Sequence, residues 1–449
     1  MSGGEPLPLE GVIPSGAGFQ AERGISRLTA VRASQTALLP ESFFSKSRPN
    51  SMIASSLPRK FSRRTILNRV QLSQVHFRVI AILSLFFSFL PTAHTQTAPP
   101  IPKVISVTSL GTVTQNPVIY GRDGTFSALI NGKSVWTFGD TPMSVAGVLG
   151  NFWDDNSLSW TTNLDASQGI NLNHDLLDTT GAPAEFLPYL PWERQYNYAH
   201  DKNHCTQTPC GAEYAMWDGP VINDPARNRV LFYYYELYRG APGMSGWETL
   251  GSGIAVYTPG KGIVRPIESP GSKYPTLLWG PTAQEYNSGA LVVGDILYSY
   301  GCVGGFLVDN CMVAQVPLAN ALDITQWTYY AGSNTWSTNP SDAVTIFQGG
   351  AAANQVFYNA YLGEYMNIYN PALNNDMYYI VSSTPWGPWS APTLLFKGET
   401  PTSGSVNYTG QAHVEFAQGN GQTQYVTYAH PNGFLTEDLP LTQVVFQKQ

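Results

Sequence analysis

Apolar and polar residues alternate with period two in five separated stretches: SVWTFGD (134–140), RVLFYYYELY (229–238), DILYSYGCV (295–303), GEYMNIYN (363–370) and TQYVTYAHP (423–431). Successive side chains of a strand point to opposite faces, so this alternation in aromatic and β-branched residues predicts strands. Each run follows a turn (NGK, DPARN, VGD, YLG, GNGQ), and each turn follows a segment rich in small and aliphatic residues (GTFSALI, GPVIN, SGALVV, NQVFYNA, HVEFAQ). Every unit therefore reads as a hairpin. With Trp136, Phe232, Tyr298, Met366 and Tyr425 as markers, the steps are 96, 66, 68 and 59 residues. Five hairpin units at this spacing predict an all-β fold built by radial repetition, a five-bladed β-propeller with four strands per blade. A single large β-sandwich or β-solenoid is the competing architecture. The first step is long because residues 163–212 have no strand rhythm and read as an insertion after blade one. No stretch of the body carries a long, capped pattern of period 3.6.

Composition agrees with a loop-rich β protein: only 12% of residues are charged, 12% are aromatic, and there are 42 Gly and 33 Pro. The net charge of −7 is unevenly distributed. Residues up to Thr95 carry +7 and the remainder −14. An acidic body argues against nucleic acid as a partner. The basic head has a separate explanation. RKFSRRTILNRVQLSQVHFR (59–78) is basic, VIAILSLFFSFL (79–90) is apolar, and PTAHTQTA (91–98) is polar and small. That is the order of a secretory signal, too short to span a membrane comfortably and expected to be cut within 93–98. Residues 1–98 are thus expected to be a disordered leader plus signal, and 99–449 the propeller. The protein is expected to be secreted, periplasmic or at the cell surface, without stable membrane association once the signal is removed.

The four cysteines, Cys205, Cys210, Cys302 and Cys311, all follow the signal. An even number in an exported chain predicts disulfides, and the short spacings suggest the loops 205–210 and 302–311. Neither spacing is that of a zinc site. No cofactor is expected, although the 153–156 loop has the composition of a calcium or substrate loop as well as that of an exposed turn.

In a propeller the inner strands converge on a central pocket, so polar residues near them in several blades can share one ligand. The candidates are Asp123 and Asp140; Trp153, Asp154, Asp155 and Asn156; Glu213, Trp217 and Asp218; Glu285 and Asn287; and Gln411 and His413. Paired carboxyls beside aromatic faces suit glycosidic bond cleavage, in which one protonates the leaving oxygen and the other attacks or activates water. The plainer readings are also physical. Asp-Gly is a common turn pair, and Asp before Thr often bonds local backbone. A buried histidine is usually a hydrogen-bonded structural group.

The stretch DGTFSALINGKSVWTFGDT (123–141) resembles the opening of the domain-of-unknown-function 4185 family, through D-G-x-x-S, a turn, and W-x-F-G-D-T. Shorter likenesses at 156–158, 219–221, 387–390 and 408–414 extend the resemblance over about 105–445. Some members of that family are classed as glycoside hydrolase family 183. The resemblance implies a five-bladed propeller acting on D-arabinofuranan, with Asp123 and Asp140 as the catalytic carboxyls. It further implies a secreted glycoside hydrolase of a furanosidic polysaccharide such as arabinan. Trp153, Asn156, Trp217, Asp218, Glu285, Asn287 and His413 are the expected substrate contacts. The alternative is a glycan-binding propeller without catalysis.

Overall fold

Five antiparallel sheets follow one another along the chain, each beginning with a strand that packs against the first strand of the next sheet. The computed structural model describes residues 97–449 apart from 241–245, 305–308, 351–352, 403 and 434–435; the basic head and its apolar run lie outside the described residues. The five inner strands are Phe126–Ile130, Glu213–Asp224, Gly289–Val293, Gln355–Asn359 and Tyr408–Ala412, and together they open the five blades of a β-propeller. Blade five is completed by its neighbours in space. Thr423–Gly433 pairs with Pro440–Gln447, which pairs with Lys103–Thr112 from the start of the body.

All five markers lie on the second strands: Lys133–Phe138, Arg229–Arg239, Ile296–Gly304, Glu364–Tyr369 and Thr423–Gly433. Asn131 and Gly132 both have positive φ (50° and 76°), the backbone that a two-residue hairpin turn requires. In unit five the hairpin pattern places the first strand in HVEFAQ, whereas the inner strand is Tyr408–Ala412 and residues Val414–Phe416 form a 3-10 turn. His413 and Glu415, both tied to blade one, hold that turn against the seam.

The core lies in the seams between blades, which explains why both faces of the second strands are aromatic. In blade two, Phe232 and Tyr234 pack towards blade one with Phe126 and Ile130. Tyr233, between them, points the other way and packs towards blade three with Trp279, Leu297 and Val316. Strand alternation thus feeds two seams at once. The last seam contains Trp136 and Phe138 of blade one with Tyr425 and Leu441 of blade five.

The 163–212 segment is partly built into blade one. His174–Asp175 pairs with Ser157–Thr161 as the fourth strand. Pro191–His200 is an α-helix, an element the sequence pattern did not announce. Its packing face is aromatic and polar: Trp192, Tyr196 and His200 recur at i, i+4 and i+8, with Trp192 and Tyr196 against Tyr214 (ring centroids 4.8 and 4.9 Å). Pro191 at the first position and the Leu190 N–H bonded to Glu193 Oε2 (2.7 Å) fix the helix start. Glu193 also accepts from Arg265 Nη1 (2.7 Å), and Arg265 in turn bonds Glu236, so the helix is anchored to blade two by a buried ion network. Both disulfides form as the spacing suggested. Cys205–Cys210 closes a loop beyond the helix, and Cys302–Cys311 joins directly opposed residues of two blade-three strands.

Glu268 gives this fold a pH dependence of its own. Burial pushes its carboxyl up to about 9, and neither oxygen has a hydrogen-bond partner among the described residues. The folded state therefore holds a proton that the unfolded chain releases near pH 4.5. The stabilisation from this group is complete below pH 4.5 and is lost as pH rises through about 9. Glu268→Gln should flatten that slope and raise stability at pH 7 by about 3 kcal/mol, as read from denaturant midpoints at pH 5, 7 and 9.

Candidate functional site

The blade-one hairpin pairs Phe126 with Thr137 and Ile130 with Lys133. Continuing that register past Phe126 brings Asp123 opposite Asp140. The backbone agrees: the Asp123 N–H donates to the Asp140 carbonyl (2.9 Å), and the Gly139 N–H donates to the Asp123 carbonyl (2.6 Å). Gly124 is needed between them. It has φ +69°, and a Cβ there would come within 2.7 Å of Asp218 Oδ1.

Asp123 keeps some solvent access yet is densely surrounded by protein. Burial and then the Asp140 charge push its pKa up to about 7, while a hydrogen bond from Tyr408 pulls the other way. The same hydroxyl lies 2.7 Å from Glu437 Oε1, so its single proton is shared between the two carboxyls. Asp140 is buried and differently held. Its Oδ1 accepts from Arg239 Nη2 (2.5 Å), Trp217 Nε1 (3.0 Å) and Trp153 Nε1 (3.3 Å). Burial raises the pKa of Asp140, with the Arg239 guanidinium the largest opposing influence. Arg239 is the hub of the cluster: its Nη1 also donates to Asp155 Oδ1 (2.6 Å) and Glu213 Oε1 (3.1 Å). Tyr189 donates to the other Asp155 oxygen (2.6 Å), and the Glu185 carboxyl beside it is raised well above its usual range by burial and then by Asp155 and Asp154.

Asp218, on the inner strand of blade two, accepts from Thr137 Oγ1 (2.9 Å). Burial, with a further contribution from the Asp123 charge, holds its carboxyl well above the ordinary range. Glu285 is raised to about 7 by burial, and the charges of both Glu285 and Asp218 bear on Tyr235. Carboxyls from blades one and two thus share one region, with Glu285 of blade three near Tyr235, and Arg239 is the guanidinium that ties Asp140, Asp155 and Glu213 together. Like charges this close cannot all ionise, so the cluster retains protons near neutrality.

Of the residues singled out in the sequence, Asp123, Asp140, Trp153, Trp217 and Asp218 are brought together, with Glu285 next to them through Tyr235. Asn156 is a tie: its Oδ1 accepts from the N–H groups of Phe186 and Leu187 (2.9 and 3.0 Å), and its Nδ2 donates to the Met216 carbonyl (3.2 Å). His413 is fully buried and stacked on Trp136 (3.9 Å), with one ring nitrogen on Ser127 and the other on Thr427 (2.7 Å each). Burial lowers its pKa to about 3, so the imidazole is neutral and pins blade five to blade one. Asn287 lies against Gly219, where a Cβ would come within 2.3 Å of its Oδ1, and neither amide atom has a hydrogen-bond partner among the described residues. The same is true of the buried Gln411 amide. In the 153–156 loop the carboxylates already have partners, Asp154 on Asn151 (2.6 Å) and Asp155 on Arg239. Among the described residues no group of three or more His, Cys, Asp or Glu side chains could hold a metal ion.

Sequence reasoning missed Arg239, Tyr408, Glu437, Glu185 and Tyr189. The arginine at the end of the long blade-two aromatic strand was the one accessible signal, because a cation at a strand end in an acidic body needs partners.

A five-bladed propeller with an acidic, tryptophan-edged cluster at the first hairpin defines the class of protein. The chain belongs to the family described as Domain of unknown function (DUF4185), whose pattern it matches over residues 108–447. No curated protein matches it. Among solved structures, a Bacteroides ovatus protein given as a candidate hydrolase is 16% identical, with a TM-score of 0.50, covering 75% of this chain and 87% of its own. A family 117 glycoside hydrolase of Zobellia galactanivorans is 10% identical, with a TM-score of 0.44, covering 76% of this chain and 90% of its own. An α-L-arabinofuranosidase from Podospora anserina, solved with cellotriose, is 10% identical, with a TM-score of 0.40, covering 78% of this chain and 98% of its own. At these identities the likeness concerns the fold.

Proposed function

We propose that this protein is an exported glycoside hydrolase that cleaves a furanosidic polysaccharide such as arabinan, with Asp123 and Asp140 as its paired carboxyls. The observation that carries the reading is the unequal environment of two opposed aspartates. Asp123, raised to about 7, holds a proton at neutral pH and is suited to protonate a leaving oxygen. Asp140 receives three donors, one of them a guanidinium, and is suited to act as the anionic partner. Trp153 and Trp217 supply faces on which a sugar ring can rest while their N–H groups orient Asp140. Asp218 and Glu285 stand in reserve as further proton carriers.

Family membership and the glycoside hydrolases among the structural neighbours support the same reading. Export is supported by the signal-like head and by two disulfides, which fit an oxidising compartment. No helix among the described residues is long and apolar enough to cross a membrane. The acidic body disfavours nucleic acid. The second reading, glycan binding without turnover, draws on the same geometry: Asp140 tied by three donors is also what a purely structural anion looks like.

The test is incubation of the purified protein with arabinans, galactans and fructans, followed by measurement of reducing ends. New ends from a furanosidic glycan support hydrolysis. Retention on an immobilised glycan with no new ends supports the binding reading.

A further inference from the structure

A cleft of about 320 Å³, lined by none of the acid-cluster residues, lies between residues 114–117 and 171–175, where the first turn of the body runs beside the 163–212 segment. The two segments are joined by backbone bonds from the Thr114 N–H to the Ile170 carbonyl and from the Leu172 N–H to the Thr114 carbonyl (2.9 Å each). This pairing sets the direction of the walls. Leu172 is buried, and in an extended segment its neighbours Asn171 and Asn173 point the opposite way, both exposed. Gln115 adds a third amide, and its Oε1 is buried without a hydrogen-bond partner. Pro117 supplies an apolar surface.

The one charge on the lining is already neutralised. Asp175 accepts from Arg122 Nη2 (2.8 Å) and Asn116 Nδ2 (3.1 Å), and Arg122 is itself fully buried over the Phe138 ring (4.3 Å). The cleft therefore offers amide donors and acceptors, one apolar face and no free charge. An anion finds no cation there and a cation finds no open carboxylate. A neutral chain dense in hydroxyls finds partners for both its donors and its acceptors. The size is that of a small ligand site.

We propose that this cleft is a second saccharide site, which holds a neutral, hydroxyl-rich glycan chain away from the Asp123 and Asp140 cluster. The choice of glycan rests on the reading given under Proposed function, but the binding does not require cleavage. Arg122 links the two places: its backbone adjoins Asp123 and its guanidinium, behind the lining, holds Asp175 in the cleft wall.

Hydrogen–deuterium exchange with added arabinan, galactan or inulin tests the inference, with polygalacturonate as the charged control. In the wild type, a neutral glycan should slow exchange in residues 113–118 and 170–175, and polygalacturonate should not. Asn171→Ala/Asn173→Ala and, separately, Gln115→Leu should require roughly tenfold more glycan for the same protection. An unchanged thermal midpoint confirms that these variants fold. The inference is overturned if those segments are not protected, if polygalacturonate protects them equally, or if the variants respond like the wild type. Exchange in residues 121–141 and reducing-end release report independently on the acid cluster. Cleavage without cleft protection would leave the hydrolase reading standing and sink this one, and protection without cleavage would do the reverse.

Discussion

On the proposed hydrolase reading, Asp123→Asn is expected to lower glycan cleavage by roughly 10²–10⁴-fold, the usual contribution of a positioned acid. The pH profile makes this expectation sharper than a simple loss. Asp123 releases its proton at about pH 7, so wild-type kcat/KM should fall on the alkaline side of that pH. The residual activity of Asp123→Asn should lack that limb, because no proton remains there to lose. Asp140→Asn should lose activity to a similar extent and keep the alkaline limb, shifted downward because the Asp140 charge no longer raises Asp123. Rates measured from pH 5 to 9 check all three statements. Full activity in both variants would place the chemistry elsewhere, with Asp218 and Glu285 the next carboxyls to replace.

Arg239→Ala has the second large effect, and it acts on stability as well as on the site. It leaves Asp140, Asp155 and Glu213 together, two of them buried, without their shared cation. Removing one partner from a buried ion pair costs about 3–5 kcal/mol, because the abandoned charge stays out of water. The deficit should be greatest at alkaline pH and shrink as the carboxyls take up protons in acid. Arg239→Lys should recover only part of it. A single ammonium cannot present two nitrogens in the planar fork that now reaches Asp140 with one and Asp155 and Glu213 with the other. Denaturant midpoints of the two variants at pH 5 and 8 measure both effects. If Arg239→Ala matches the wild type at pH 8, the network contributes little to stability.

What could be read in the sequence, and what could not, divides by distance along the chain. Hairpins are local. Asn131 and Gly132 announced the turn, and the turn fixed the register that sets Asp123 against Asp140. The markers from Trp136 to Tyr425 all lie on second strands because each needs only its own turn and its own alternation. The inner strand of unit five escaped this logic. Its 3-10 turn exists for the sake of His413 and Glu415, whose partners Ser127 and Ser134 lie at the other end of the body. The helix escaped because its packing face is made of Trp192, Tyr196 and His200 rather than of aliphatics. Arg239 escaped for the same reason as the seam: it meets Asp140 at a separation of 99 residues and Asp155 at 84, and no spacing rule covers such distances. The carboxyls were visible as residue types, whereas the cation that organises them belongs to the tertiary fold.

The closure of blade five has a consequence in time. Its outermost strand, Lys103–Thr112, leaves the ribosome before the five hairpins, and its partner Pro440–Gln447 follows them, with Lys103 facing Gln447. Until that late strand arrives, the early one has no place in the sheet, and the Trp136 seam lacks Tyr425 and Leu441. Blades one to four can gather in order as they emerge, but the ring is sealed in a single late event with a long loop to close. A nascent chain of this design spends most of its synthesis as an open arc with an unpaired edge, so a truncation that removes Pro440–Gln447 should leave it permanently in that state.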